Sequence, residues 1–199
     1  MSFKVEMPLK RLVVPLLFAL AVLLVSTAVS ATVMVYTDLA RLVELSDVIV
    51  RGRVVDQKTS YDEERQEIST ITTLQVQRVF HGEDVSDTVQ FSQWGGAWED
   101  RIARIPGDAR FVPYEDVVLF LVDGKGKYAG MRYLTALSQS KFTVARSSDG
   151  TRVFRSLSDL AFLDPTTQDV SPRRDERYDY EAFVAELESL IAGIKGGKR

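Results

Sequence analysis

Few residue types that carry covalent or metal chemistry occur in this chain, and those present are not spaced for it. The single histidine, His81, would have to serve as the base of any Ser-His-Asp device, with a serine and a carboxylate converging on it. No G-x-S-x-G elbow exists, and His81 followed by Gly82 reads as a turn. There is no cysteine, hence no thiol nucleophile, and one histidine leaves too few ligands for zinc. Asp62, Glu63, Glu64 and Glu67 cluster as a calcium loop would, but without its regular spacing and central glycine. A solvated hairpin tip is expected there. G-K-G-K at Gly124 to Lys127 lacks the spacing of a phosphate loop and the Ser/Thr after its lysine, and reads as a hairpin turn. Paired carboxylates of the glycosidase kind stay open, because a pair distant in sequence can meet in space. No metal and no cofactor is expected.

Binding chemistry is better represented. Residues 91–107, FSQWGGAWEDRIARIPG, hold both tryptophans, Trp94 and Trp98, around Gly95 and Gly96. The glycine pair permits positive φ, and loops on a rigid β scaffold commonly carry binding. Trp94, Trp98 and Tyr114 are the aromatic types enriched at interface hot spots. The pair is expected to divide its work: Trp94 plugs the end of the fold, where a large ring buries much area, and Trp98, beside Glu99-Asp100, stays at the surface.

The elements that must position this loop follow an N-terminal targeting pattern. Lys4, Lys10 and Arg11 precede the uncharged apolar run Leu12 to Val25, and small residues follow at Ala28, Ser30 and Ala31. This is the plan of a signal peptide. The alternative is an uncleaved anchor over residues 12–36, since about 20 apolar residues span a bilayer. Either reading exports the rest, to the periplasm or beyond. Removing residues 1–31 deletes three basic side chains and one acidic one, so a net charge of −3 becomes −5. That balance argues against nucleic acid, which requires a basic face. A chain of this size can be stabilised by packing without disulfides.

Thr37 or Asp38 should cap a short helix with Leu39, Leu42, Val43 and Leu45 at helical spacing. DVIVRGRVVDQK reads as a strand with a bulge or a sharp bend at Gly52. The charged stretch Tyr61 to Glu67 turns the chain into a long strand placing Thr70, Thr72, Leu74 and Val76 on one face, with a phase slip at Arg78-Val79. Another strand starts at Thr88, and the tryptophan loop then runs to Tyr114. DVVLFLV, Asp116 to Val122, is a continuous apolar run and so the most buried strand. KYAGMRYL is a further strand. KFTVAR and TRVFR flank an Asp-Gly hairpin, SLSDLAFL reads as a short helical piece, and TTQDVSPRRDER as a polar surface linker. The final helix carries Tyr180, Phe183, Val184, Leu187, Leu190, Ile191 and Ile194 as one apolar stripe. The expected fold is mainly β: a small OB-like barrel of five or six strands with a short N-terminal helix and a C-terminal amphipathic helix. The organisation is residues 1–31 signal, 32–163 barrel, 164–177 linker and 178–195 helix.

LxxLSDVIVRGRVV, TxTTLQVQRVFHGE, the Gly-Gly loop, PYEDVVLFL and QSKFTV, spanning Leu39 to Val144, resemble a family of uncharacterised exported bacterial proteins. That family is faintly similar to netrin-like and metalloprotease-inhibitor barrels. The resemblance implies an OB-like barrel. The inhibitors' N-terminal cysteine has no counterpart here, so their mechanism does not carry over. The expected function is a non-enzymatic binding module of the bacterial envelope that engages another envelope or secreted protein. The alternatives are a carboxylate-dependent hydrolase and a protease-inhibitor-like module.

Overall fold

The computed structural model describes residues 33–83 and 85–197, all within one compact unit, Ala31–Arg199. The signal segment, residues 1–31, lies outside the described residues. After the short strand β1 (Val33–Val35) comes helix α1 (Leu39–Leu45). The Asp38 carboxylate caps α1, accepting from the Arg41 N–H at 2.7 Å, and Leu39, Leu42 and Val43 are buried as their spacing predicts.

Two long strands follow, β2 (Val48–Asp62) and β3 (Glu67–His81), antiparallel to one another. Their ladder slips in register beside Gly52 and again where Val79 and His81 face Val50 and Ile49. The irregularity expected at Gly52 is present, the slip expected at Arg78-Val79 falls one step later, between Val79 and His81, and a further slip lies between Val54 and Asp56; each bends and coils the pair. β4 (Thr88–Trp94) adds to β3. The hairpin β5 (Gly96–Trp98) and β6 (Arg101–Ala103) comes next, so the tryptophan segment, expected to be a loop, carries a strand pair of its own.

β7 (Asp116–Asp123) is the centre of the fold, with Val117 to Leu121 fully buried. It pairs with β2, with β8 (Arg132–Leu134) and with β9 (Lys141–Ser147). Alternation sends Val118 and Phe120 into one core beside both helices, and Val117, Leu119 and Leu121 into a second core with Val50, Leu74, Val89 and Phe91. Burial on both faces is why this strand reads as an unbroken apolar run. β9 and β10 (Gly150–Arg155) form the Asp-Gly hairpin, and β13 (Glu176–Asp179) closes that edge.

The main sheet has eight strands in the order β13-β10-β9-β7-β2-β3-β4-β8, and β8 also pairs with β7. The pairings among β7, β2, β3, β4 and β8 therefore form a closed cycle, in which the β4–β8 step is one parallel pair, Phe91 with Arg132. The architecture is mainly β and sandwich-like. Thirteen strands occur among the described residues, more than the five or six expected. The excess is made of short strands that tertiary pairing creates where local pattern is weak.

Three local expectations are corrected. SLSDLAFL is not helical: after a turn, Ala161–Leu163 forms β11, parallel to β1. The stretch 164–177 is no plain linker, since β12 (Val170–Pro172) pairs with β11 and β13 begins at Glu176. KYAGMRYL is a strand only over Arg132–Leu134, because Gly126–Tyr128 coils into a 3-10 turn. The C-terminal helix α2 (Tyr180–Gly197) buries Phe183, Val184, Leu187 and Ile191 against α1 and the sheet. Its stripe is thus used within the fold. No helix among the described residues is long and apolar enough to cross a membrane.

A buried polar cluster ties the two ends of the domain. Arg155, fully buried, donates from Nε to the Gln139 carbonyl at 2.9 Å, from Nη2 to the Thr37 carbonyl at 2.6 Å, and from Nη1 to Glu176 Oε2 at 3.2 Å. Glu176 also accepts from the hydroxyls of Tyr36 at 2.6 Å and Tyr178 at 2.8 Å.

Candidate binding site

Gly95 and Gly96 are explained by close approach. A Cβ on Gly95 would lie 2.6 Å from the Ala103 carbonyl, and one on Gly96 would collide with Thr70 Oγ1 and come within 2.7 Å of Thr59. Both residues have positive φ, 96° and 136°. The pair therefore lets the β5–β6 hairpin fold tightly over β2 and β3. Gly96→Ala should cost about 1–3 kcal/mol through overpacking and backbone strain, measured by urea unfolding, whereas Gly150→Ala, with open space around its Cβ, isolates the φ contribution alone.

The role expected of Trp94 is corrected. Trp94, expected to be a buried plug, is 44% exposed, and Trp98 is 36% exposed. The reason is strand alternation. β3 and β4 pair Ser69 with Trp94, Ile71 with Ser92 and Thr72 with Phe91. Phe91 and Thr72 face the core, so Trp94, Ser92, Ser69 and Ile71 face outward. Trp98 ends β5 opposite Arg101. Tyr114, 74% exposed with φ of 64°, sits in the turn leading to β7 and donates its N–H to the Val54 carbonyl at 2.8 Å.

Outward placement does not leave Trp94 alone. Its ring stacks on Tyr133 at 5.7 Å and 28°, and meets Tyr128 edge-on at 6.1 Å. Tyr128 and Tyr133 are themselves edge-to-face at 6.0 Å. Tyr133 comes from β8 and Tyr128 from the 3-10 turn after β7, and both are half-buried. Burial first, then the neighbouring Tyr128, push the Tyr133 hydroxyl above its ordinary range, so it stays neutral.

These rings wall a cup of about 270 Å³ whose rim holds Asp62, Arg65, Glu67 and Lys127, and whose floor includes Ser69, Ile71 and Ser92. Lys127 Nζ lies 4.8 Å from the Tyr128 ring centre and the Arg65 guanidinium 6.0 Å from it. The acidic tip, read from sequence as merely solvated, thus supplies part of this rim. Asp62 Oδ1 holds the turn by accepting from the Glu64 and Arg65 N–H groups.

On its other side Trp94 borders an open groove of about 620 Å³ that also includes Gly95, Gly96, Ile102 and Ile105. Of the five residues singled out from sequence, Trp94, Gly95 and Gly96 come together here, while Trp98 and Tyr114 line none of these grooves. Sequence reasoning missed Tyr128, Tyr133, Arg65 and Lys127. The available signal was the pair of tyrosines in KYAGMRYL, five residues apart across a turn.

A third groove, of about 400 Å³, is bordered by Asp108 and Asp159 with Lys141 and Ser138. Burial pushes the Asp108 carboxyl above its ordinary range, against the opposing hydrogen bonds from Gln93 and the Ala109 N–H. Lys141 is committed elsewhere, paired to Glu115 at 2.7 Å and donating to the Arg110 carbonyl at 2.5 Å.

No protein-family model matches this chain, and no curated protein matches it.

Proposed function

We propose that the chain is an exported, non-enzymatic binding module of the bacterial envelope, and that its ligand seat is the cup of Trp94, Tyr128 and Tyr133. The observation that carries this reading is a tryptophan left 44% exposed yet fixed by two tyrosines. Exposed large aromatics lose little by being covered, and rings already held in place bind with less ordering cost. The signal-like residues 1–31 support export. The finer fold reading, an OB-like barrel, is supported by the closed cycle of pairings through β2, β3, β4, β8 and β7. In such a barrel the second and third strands and the loops after the first and fourth form the ligand face. β3, β4 and residues 62–67 and 124–131 hold those positions, and they build the cup. The rival hydrolase reading would draw on Asp108 and Asp159, which border one groove.

Binding to isolated envelopes, measured by co-sedimentation, tests the seat. Trp94→Ala should weaken it by about 2 kcal/mol or more while costing only about 1 kcal/mol of stability, the scale of lost ring contacts. Trp98→Ala should leave it unchanged. Wild-type binding by Trp94→Ala would remove the cup from consideration, and loss of a hydrolytic activity in Asp108→Asn would favour the rival.

A further inference from the structure

We propose that the cup takes a neutral oligosaccharide, one or two pyranose rings seated against Trp94 and Tyr133; this rests on the cup being the binding seat. The wall is aromatic and preset, with Trp94 and Tyr133 stacked and Tyr128 bracing both. An aromatic face is electron-rich, and the axial C–H groups on one side of a pyranose ring are its electron-poor complement. The rim balances two carboxylates, Asp62 and Glu67, against two cations, Arg65 and Lys127.

A balanced rim selects against strongly charged ligands. A polyanion would be drawn by the cations but repelled by Asp62 and Glu67, and the chain as a whole is acidic; nucleic acid requires the opposite. An aliphatic lipid chain would cover four charged groups, of which only Arg65 and Asp62 pair with each other, at 3.7 Å, and would offer none of them a hydrogen bond. A sugar hydroxyl is both donor and acceptor, so each rim group finds a partner: carboxylates accept from it, and Arg65 and Lys127 donate to it. Ser69 and Ser92 extend the same pattern on the floor. An extended peptide is less well served. The floor strands are already paired with each other from Ser69–Trp94 to Ile71–Ser92, so no open ladder lies between them for a peptide backbone to join. At about 270 Å³ the cup falls just below the range of drug-sized pockets, a size suited to a short glycan segment.

The test uses the full-length protein carrying Trp98→Phe, which leaves Trp94 as the reporting indole. Chitotetraose, cellotetraose and maltotetraose are the probes, with a proline-rich peptide and an acidic peptide alongside. The expected result is a saturable change in Trp94 fluorescence with at least one tetrasaccharide and none with either peptide. Glu67→Gln, at an exposed position that leaves folding intact, should weaken that binding, and calorimetry on Trp94→Ala in the Trp98-containing protein should show a loss of roughly 30-fold. A response to a peptide and to no tetrasaccharide would overturn the glycan assignment while keeping the cup as a seat. Silence towards every probe, with envelope binding still lost in Trp94→Ala, would likewise overturn only the ligand class. Silence together with wild-type envelope binding by Trp94→Ala would overturn both.

Discussion

Leu119→Ala should lower the free energy of unfolding by about 2–5 kcal/mol, the cost of deleting a buried leucine side chain and leaving a cavity. Leu119 has no solvent exposure, and it packs among Val50, Leu74, Phe91 and Phe111 in the core beneath β3 and β4. Its strand is hydrogen-bonded on both sides, to β2 and to β9 at this register, so the backbone has little freedom to collapse into the void. Against a total of roughly 5–15 kcal/mol for a domain, the loss should be plain in urea unfolding. Ile102→Ala is the matched control. Ile102 is 70% exposed, and its truncation should change stability by no more than about 0.5 kcal/mol. Equal midpoints for the two variants would mean that β7 does not organise the core.

That strand was legible in the sequence because its pattern is extreme: six apolar residues in a row, Val117 to Val122, have only one stable location, a strand covered on both faces. The capped helix at Asp38, the register slip at Gly52 and the stripe of α2 were legible for similar reasons, each being a local rule with a single outcome. What failed was context. Ala161–Leu163 and Val170–Pro172 have no strand-forming signal of their own strength, and they extend only because β1 and β11 pair across more than a hundred residues. The glycine pair stands out in the sequence for its freedom of φ, whereas its main cause is contact, Gly96 against Thr70 and Thr59, and contact between β2, β3 and β5 cannot be read from spacing.

The candidate site shows the same division. Trp94 and its glycines were found as unusual residues, but the side of the sheet on which Trp94 lands depends on the register of β4 with β3. A shift of one residue would have exchanged Trp94 with Gln93 and made the buried plug correct. Tyr128 and Tyr133 join it from another strand and another turn, so the cup exists only once β8 is placed beside both β4 and β7.

Arg155→Met should be at least as damaging as the core truncation, at about 3–5 kcal/mol near neutral pH, because removing one partner strands the other in a partly dry site. Glu176 would keep its burial and its tyrosine donors but lose the guanidinium, while the carbonyls of Gln139 and Thr37 would each lose a donor. The pH dependence identifies the cause. In the wild type, burial alone would raise the Glu176 pKa, but the hydrogen bonds from Tyr36 and Tyr178, together with the charge and hydrogen bond of Arg155, outweigh it and hold the carboxyl below its ordinary range. A folded pKa below the unfolded one contributes stability that is present above the unfolded value, about 4.3 for glutamate, and is lost as pH falls through the folded value. In the variant the depressing charge is gone and the desolvation stays, so this contribution shrinks or reverses sign. The gap between wild type and variant should therefore be widest near neutral pH and should narrow as pH drops below about 4 and Glu176 is protonated in both proteins. Urea unfolding at pH 7 and at progressively lower pH measures that gap directly. A gap that stays constant across the range would assign the loss to the packing of Arg155 on Tyr36 and Phe142, whose rings lie 5.4 Å and 5.1 Å from its guanidinium, and not to the ion pair with Glu176.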